Sequence, residues 1–357
     1  NMSYTEKLED LDRNSLLLVG GKNASLGEMI HAGIRVPPGF AVTTTCYEDF
    51  ITRTGITEQM YELLSGLQLG AVDAVHKASE QVQELIRNAP MPDDMRSAIT
   101  GAYAVLCEEC AAENLPVAVR SSATAEDLPT ASFAGQQDTH LWVMGSDRVM
   151  RRVQDCWASL FTPRAVSYRI RNDFPHEKVF ISVGVQKMVN ARCAGVMFSL
   201  NPTDGDRSKV VIEGAWGLGE TVVGGTVNPD RFAVDKVLME PTEKNVSVKH
   251  IACVFDPENG EVKEAELDPE KGAACCLQPH EVKELTKLAQ EIEVHYGVPM
   301  DIEWAIDDSI SFPENVFVVQ ARPETVWSQK TKESRLGKKS GRELLMAQAM
   351  KRIKLKK

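Results

Sequence analysis

The sequence predicts an α+β protein of at least two lobes, and three observations carry that expectation. The chain has 357 residues, more than one compact core usually holds, since domains cluster near ~100–150 residues. Its first hundred residues repeat apolar positions at helical spacing. From residue 178 onward, short β-type runs separated by glycines replace that spacing. No internal repeat is visible, and a helical stretch followed by a strand-rich one is the α+β pattern.

The first feature in chain order is LLLVGGKNASLGEM at residues 16–29. A P-loop needs a glycine five residues before the Gly-Lys pair and a hydroxyl residue after it. Those positions hold Leu16 and Asn23, so the Walker pattern is excluded. The apolar run, the glycine pair and an expected helix start at residues 25–28 still resemble an anion-binding helix entrance. At this point Lys22 is either a phosphate ligand or a lysine beside a tight turn.

Helices are expected over residues 47–64, 71–86 and 94–107, punctuated by Ala89-Pro90-Met91-Pro92. A short strand at 116–120 runs into a polar, small-residue segment, 121–139, which reads as a long surface loop. Strands follow at 179–188, 194–200, 210–213 and 230–234, with Gly214, Gly217, Gly219, Gly224 and Gly225 among them. A helix is expected at 279–295, its apolar stripe carried by Val282, Leu285, Leu288 and Ile292. Two strands close the pattern, at 300–306 and 316–321.

Composition narrows the class. No run approaches the ~18 apolar residues of a membrane span, and no basic-then-apolar signal opens the chain, so a cytoplasmic protein without a membrane partner is expected. The eight cysteines lack ligand spacing: Cys107-x-x-Cys110 and Cys275-Cys276 stand far apart, and reduced thiols are the reading. Residues 326–357 hold eleven Lys/Arg and two acids, a local +9 that leaves −20 on residues 1–325 of a chain whose net charge is −11. So acidic a body is not a nucleic-acid-binding surface.

The last two strands concentrate the chemistry, because side chains i and i+2 of a strand share a face. Asp301 and Glu303 project together, and so do Gln320 and Arg322. Paired as a long-looped hairpin, they would set hard oxygens from Glu303 and Gln320 for Mg²⁺ beside an arginine fork for phosphate. Ile302, Trp304, Phe317 and Val319 would face the other way. The competing reading is a surface ion pair between Glu303 and Arg322. Arg120, followed by Ser121, Ser122 and Thr124 and then by the 132–139 segment with Gly135, supplies a guanidinium, hydroxyls and backbone amides that can cradle a polyphosphate. Gln186 and Met188 are candidate adenine contacts because a strand edge can imitate base pairing with its backbone; the competing reading is plain core.

Several collinear motifs then make a family resemblance visible. They are VGGKNASLGEM, RVPPGFAVTT, VAVRSSATAEDLPTASFAGQQDT, WASLFTPRAVSYR, VGVQKMV, AGVMFSLNP, AWGLGE, VNPDRF, MDIEW and VVQARPET. Together they resemble the N-terminal nucleotide-binding region of phosphoenolpyruvate synthase (pyruvate, water dikinase), a region that pyruvate phosphate dikinase and rifampicin phosphotransferase share. The resemblance spans residues 15–326 and implies an ATP-grasp fold, with ATP and Mg²⁺ held between two α+β lobes, 1–190 and 191–326, ahead of a basic amphipathic tail, 327–357. It implies triphosphate contacts, and a catalytic role, for Lys22, Arg120 and Arg322, and a phosphate loop at Gly135 and Thr139. It further implies an adenine hinge at Gln186 and Met188, a phosphate-contacting hydroxyl at Ser199 (threonine in many relatives), and metal ligands at Glu303 and Gln320, with Asp301 beside them in the nucleotide site.

Enzymes of this kind convert ATP to AMP and phosphate while phosphorylating a histidine in a Thr-x-x-Gly-Gly-x-x-x-His context. None of His31, His76, His140, His176, His250, His280 and His295 stands in such a motif. The expected partner is therefore a separate histidine-bearing phosphotransfer subunit. Met2 reads as the native start, and Leu345, Met346, Ala349, Met350 and Ile353 give the tail a helical apolar face for docking. A free-standing chain of this design resembles the ATP-binding subunit of phenylphosphate synthase, which activates phenol. The alternatives are an N-terminal part of phosphoenolpyruvate synthase or rifampicin phosphotransferase, and a non-catalytic ATP-binding regulatory subunit.

Overall fold

The computed structural model describes residues 3–68, 70–124, 127–128, 131–132 and 138–327. Gly135 and the tail beyond Trp327 lie outside them. Residues Asn1–Pro323 form one compact unit, and Glu324–Lys357 a second.

The first half of the larger unit supplies β1 (Thr5–Lys7), α1 (Leu16–His31), β2 (Gly39–Val42), α2 (Thr44–Arg53), α3 (Thr57–Leu64), α4 (Val72–Asn88) and α5 (Asp93–Glu109). It continues with β3 (Val117–Ala123), the short β4 (Asp127–Leu128) and β5 (Ala131–Ser132), β6 (Thr139–Val143), α6 (Ser146–Ser159), α7 (Pro163–Arg171) and β7 (Ile181–Lys187). The expected helix over 47–64 is two helices, because the chain turns at Gly55 (φ 73°). Five strands make an antiparallel sheet in the order β1-β2-β7-β3-β6. β7 is buried at every residue but its last because it lies mid-sheet and is covered on both faces. Helix α6 packs on this sheet through Val149, Val153, Cys156 and Trp157, and α4 packs on α6 through Val75, Val82 and Ile86.

After β7 the chain crosses to a second antiparallel sheet, β11-β10-β9-β8-β14-β15. Its members are β8 (Ala191–Phe198), β9 (Lys209–Trp216), β10 (Asp230–Asp235), β11 (Pro241–Asn245), β14 (Met300–Asp307) and β15 (Val316–Pro323). Between them lie α8 (Glu220–Val223), a separate hairpin of β12 (Ile251–Asp256) with β13 (Glu261–Glu266), α9 (Pro269–Ala273) and α10 (Pro279–Tyr296). α10 starts at a Gln278–Glu281 capping box, with Pro279 in its first turn, and ends on Gly297 in the left-handed region (φ 71°). Its buried stripe is the expected one: Val282, Leu285, Leu288 and Ile292.

A boundary at residue 190 separates the two sheets but not the two cores. Val19, Leu26 and Met29 of α1 are buried among residues of the second sheet and α10, such as Met197, Leu288 and Ile302. The N-terminal helix therefore packs as part of the second sheet's core while its glycine turn touches the first sheet. Among the described residues, no helix is long and apolar enough to cross a membrane, and all eight cysteines are free thiols.

Candidate functional site

The glycine pair of the opening motif is a close-approach device. α1 is interrupted at Gly20 (φ 71°, ψ 169°), where a Cβ would fall 2.2 Å from the Ser122 carbonyl oxygen on β3. Only glycine combines that backbone angle with that proximity. The helix runs on directly after this break, earlier than the start expected at residues 25–28. The Asn23 amide then donates to Ser122 Oγ at 3.4 Å, and Lys22 Nζ donates to the Ser121 carbonyl at 3.3 Å. Lys22 is thereby held against β3 at the wall of a cleft between the sheets.

Arg120 of β3 stands opposite Thr139 of β6 and Gly184 of β7. Its guanidinium reaches the second sheet. Nη1 donates to the Val319 carbonyl at 3.2 Å, Nη2 donates to Gln320 Oε1, and Glu303 Oε2 lies 3.5 Å from Nη2. The register of β14 on β15 sets Glu303 against Gln320 and Asp301 against Arg322. Arg322 Nε lies 3.5 Å from Asp301 Oδ2. The surface pair considered from sequence, Glu303 with Arg322, is thus replaced by two others: Glu303 faces Arg120 across the cleft, and Arg322 faces Asp301 across the strand pair.

Strand alternation fails between β14 and β15 beside Glu303. The ladder shifts after Glu303, so that Trp304 opposes Val318 and Ala305 opposes Phe317. This β-bulge inserts one extra residue and reverses the facing of everything beyond it. Phe317 and Val319, expected opposite Glu303, lie on its side of the sheet against Val189, Ala194 and Ala305. Ile302 and Trp304 do face the core.

The cleft has a volume of about 390 Å³, within the ~300–1,000 Å³ typical of small-molecule sites. Lys22, Arg120, Thr139, Gln186, Met188, Glu303, Gln320 and Arg322 line it. Its apolar wall comes from Met188, Val189, Ala191, Ala194, Leu218, Val223, Ala305 and Val319. Asp301 is not part of the wall and reaches the site through Arg322. Three further expected residues have these surroundings. Ser199 is fully buried and outside the wall, its Oγ accepting from the Met300 amide at 2.8 Å; it pins the start of β14. Gln186 and Met188 line the cleft, although β7 pairs with both β2 and β3 and the Met188 amide donates to the Pro116 carbonyl at 2.9 Å. The buried Gln186 amide likewise donates to the Pro37 carbonyl at 3.0 Å. Gly135 lies outside the described residues.

Glu220, at the start of α8, also lines the cleft, and residue-level reading of the sequence missed it. Burial raises its pKa; Arg120 opposes the rise and Glu303 adds to it. The signal was present as the acid that closes AWGLGE, but a carboxylate after a glycine turn means little until the fold sets it beside Arg120.

Residues 16–343 match the sequence profile of a family described as pyruvate phosphate dikinase, AMP/ATP-binding domain. The chain belongs to this family. Its α+β architecture, two sheets around one cleft, is that of an ATP-grasp domain, and the family is one of AMP- or ATP-binding domains. A probable phosphoenolpyruvate synthase of Staphylothermus marinus is 48% identical over 354 residues, covering 93% of this chain and 42% of that protein. A probable phosphoenolpyruvate synthase of Methanocaldococcus jannaschii is 46% identical, over 94% of this chain and 28% of that protein. The phosphoenolpyruvate synthase of Aeropyrum pernix is 46% identical, over 92% and 43%. The chain therefore spans less than half the length of each of these relatives.

Proposed function

We propose that this chain is the nucleotide-binding part of a phosphoenolpyruvate synthase-type dikinase, which binds Mg-ATP in the cleft and presents it to a histidine carried by another domain or chain. The observation that carries this reading is the meeting of Arg120 with Glu303 and Gln320, so that a cation and two oxygen donors from different sheets share one cleft wall with Lys22 and Arg322.

The residues fit a magnesium ion held mainly by nucleotide phosphates. Glu303 and Gln320 are register partners on adjacent strands, and among the described residues no three His, Cys, Asp or Glu side chains form an all-protein cage. Mg²⁺ takes one or two protein oxygens and keeps phosphate and water for the rest; when bound it would neutralise charge on the phosphate oxygens. Lys22, Arg120 and Arg322 would orient the triphosphate and spread the charge that develops as a neutral imidazole attacks in line. The apolar wall around Met188, Leu218 and Val223 would take the base and exclude water from it. Attack on the β-phosphorus would form the phosphorus–nitrogen bond as the phosphorus–oxygen bond to AMP breaks, and water would then cleave the terminal phosphate from the transferred pyrophosphoryl group, leaving AMP, phosphate and phosphohistidine.

The names of the relatives favour a pyruvate-linked acceptor over phenol, and that reading replaces the phenol-activating subunit expected from the free-standing chain. To test the proposal, the chain is titrated with MgATP by calorimetry and then incubated with β-labelled ATP and the histidine-bearing portion of such a synthase. Saturable binding, AMP and an acid-labile phosphoprotein are expected. ADP as the sole product, with no phosphohistidine, overturns the dikinase reading.

A further inference from the structure

The helical lobe encloses a charge that the nucleotide cleft does not use. Arg169 of α7 is fully buried, and among the described residues it makes no ion pair. Its Nε donates to His176 Nδ1 at 2.9 Å and its Nη2 to the Leu160 carbonyl at 2.6 Å. The Phe161 ring centroid lies 5.2 Å from its Cζ. Each of these partners is neutral: a histidine that accepts at Nδ1 carries no charge, and burial with Arg169 alongside pushes His176 down to about 4. Burial lowers Arg169 only to about 10, so at neutral pH the guanidinium remains a cation. Glu48 and Glu177 influence Tyr47 and His176, yet neither comes within ion-pairing distance of Arg169.

Hydrogen bonding leaves the same gap. Arg169 Nη1 has no partner, nor do the Trp157 indole N–H and the Tyr47 hydroxyl, all of them buried. The Tyr47 and Trp157 rings are 6.0 Å apart. Burial raises the Tyr47 hydroxyl and the Arg169 charge opposes that rise, so hydroxyl and guanidinium are within electrostatic reach. An unpaired buried donor costs about 1–3 kcal/mol, and an uncompensated buried charge costs more. Water would satisfy the donors and leave the charge. We propose that Arg169, Trp157 and Tyr47 form a buried site for a small monovalent anion such as chloride, which supplies acceptor and countercharge together.

The full chain crystallised with bromide in place of chloride should show anomalous density in contact with Arg169 Nη1. In solution, exchanging gluconate for chloride at constant ionic strength should raise the wild-type melting temperature by a few degrees, as a ligand bound only by the native state does. Arg169→Met should lose that chloride-specific rise. Water density without an anomalous signal at Nη1 overturns the proposal, whether or not the variant folds, and so does an equal chloride response in Arg169→Met.

Discussion

The two kinds of ion pair in this molecule, one deep in the second lobe and one at the cleft, differ in how completely they are satisfied. Lys249 and Asp230 are both fully buried and meet at 2.6 Å. Asp230 also accepts from the amides of Ser247 and Cys276, at 3.0 and 2.8 Å, and Lys249 donates to the Ser247 carbonyl at 2.7 Å. At the cleft, Arg120 with Glu303 and Arg322 with Asp301 stand 3.5 Å apart and keep solvent access. The interior pair has its donors and acceptors committed and fixes β10 to the loops beside it. The cleft pairs are longer and partly solvated, so they hold their side chains less firmly.

That contrast can be broken or sharpened by substitution, starting with the largest effect. Lys249→Met leaves Asp230 charged and buried, so it should cost about 3–5 kcal/mol in denaturant unfolding; Lys249→Met with Asp230→Leu should recover most of the loss. Equal losses in single and double variants would show that packing, not the orphaned charge, governs the site. Arg120→Ala should weaken MgATP binding by about 1.5–3 kcal/mol, the worth of a hydrogen bond to a charged group, with stability almost unchanged. Calorimetry and thermal melting separate the two, and a large stability loss would place Arg120 with the interior class.

Glu28 is an intermediate case, since it joins α1 to α10 through Arg13 and His295, each at 2.7 Å. Burial raises its pKa, but the bonds from Arg13 and His295 outweigh that and hold it at about 2, against an ordinary 4.5. A carboxylate whose folded pKa is depressed stabilises the fold above its unfolded pKa and loses that contribution as pH falls through the folded one. Stability should therefore decline between about pH 4.5 and 2, and Glu28→Gln, at a cost of about 1–2 kcal/mol at neutral pH, should flatten that decline. An unaltered acid limb in the variant would assign it to other groups. Smallest of all, Arg322→Ala should change unfolding stability by under about 0.5 kcal/mol, because its partner is partly exposed. A larger loss would show that the Asp301 contact is structural.

Much of the site was legible locally. Asp301, Glu303, Gln320 and Arg322 could be grouped from strand alternation alone, and the register of β14 on β15 pairs them as that grouping requires. Helix α10 was equally plain, because its stripe, cap and glycine stop agree. Helix α6 went unread although Val149, Val153, Cys156 and Trp157 recur at helical spacing, and β11 because all five of its residues are exposed and give no apolar pattern. Ser199 was assigned to the cleft by resemblance, yet its hydroxyl serves a backbone amide. Glu220 was missed because its significance depends on Arg120 and Glu303 being near.

By itself the sequence determined which side chains share a strand or helix face, since backbone geometry ties facing to residue number. It also marked Gly20 and Lys22 as an unusual junction outside the Walker pattern. Only the tertiary structure decided which faces meet. Arg120 and Gln320 are 200 positions apart, and one bulge after Glu303 reverses the facing of Phe317 and Val319. Alternation carries no information across such distances or through such a shift, because partner and register are set by packing of the whole sheet.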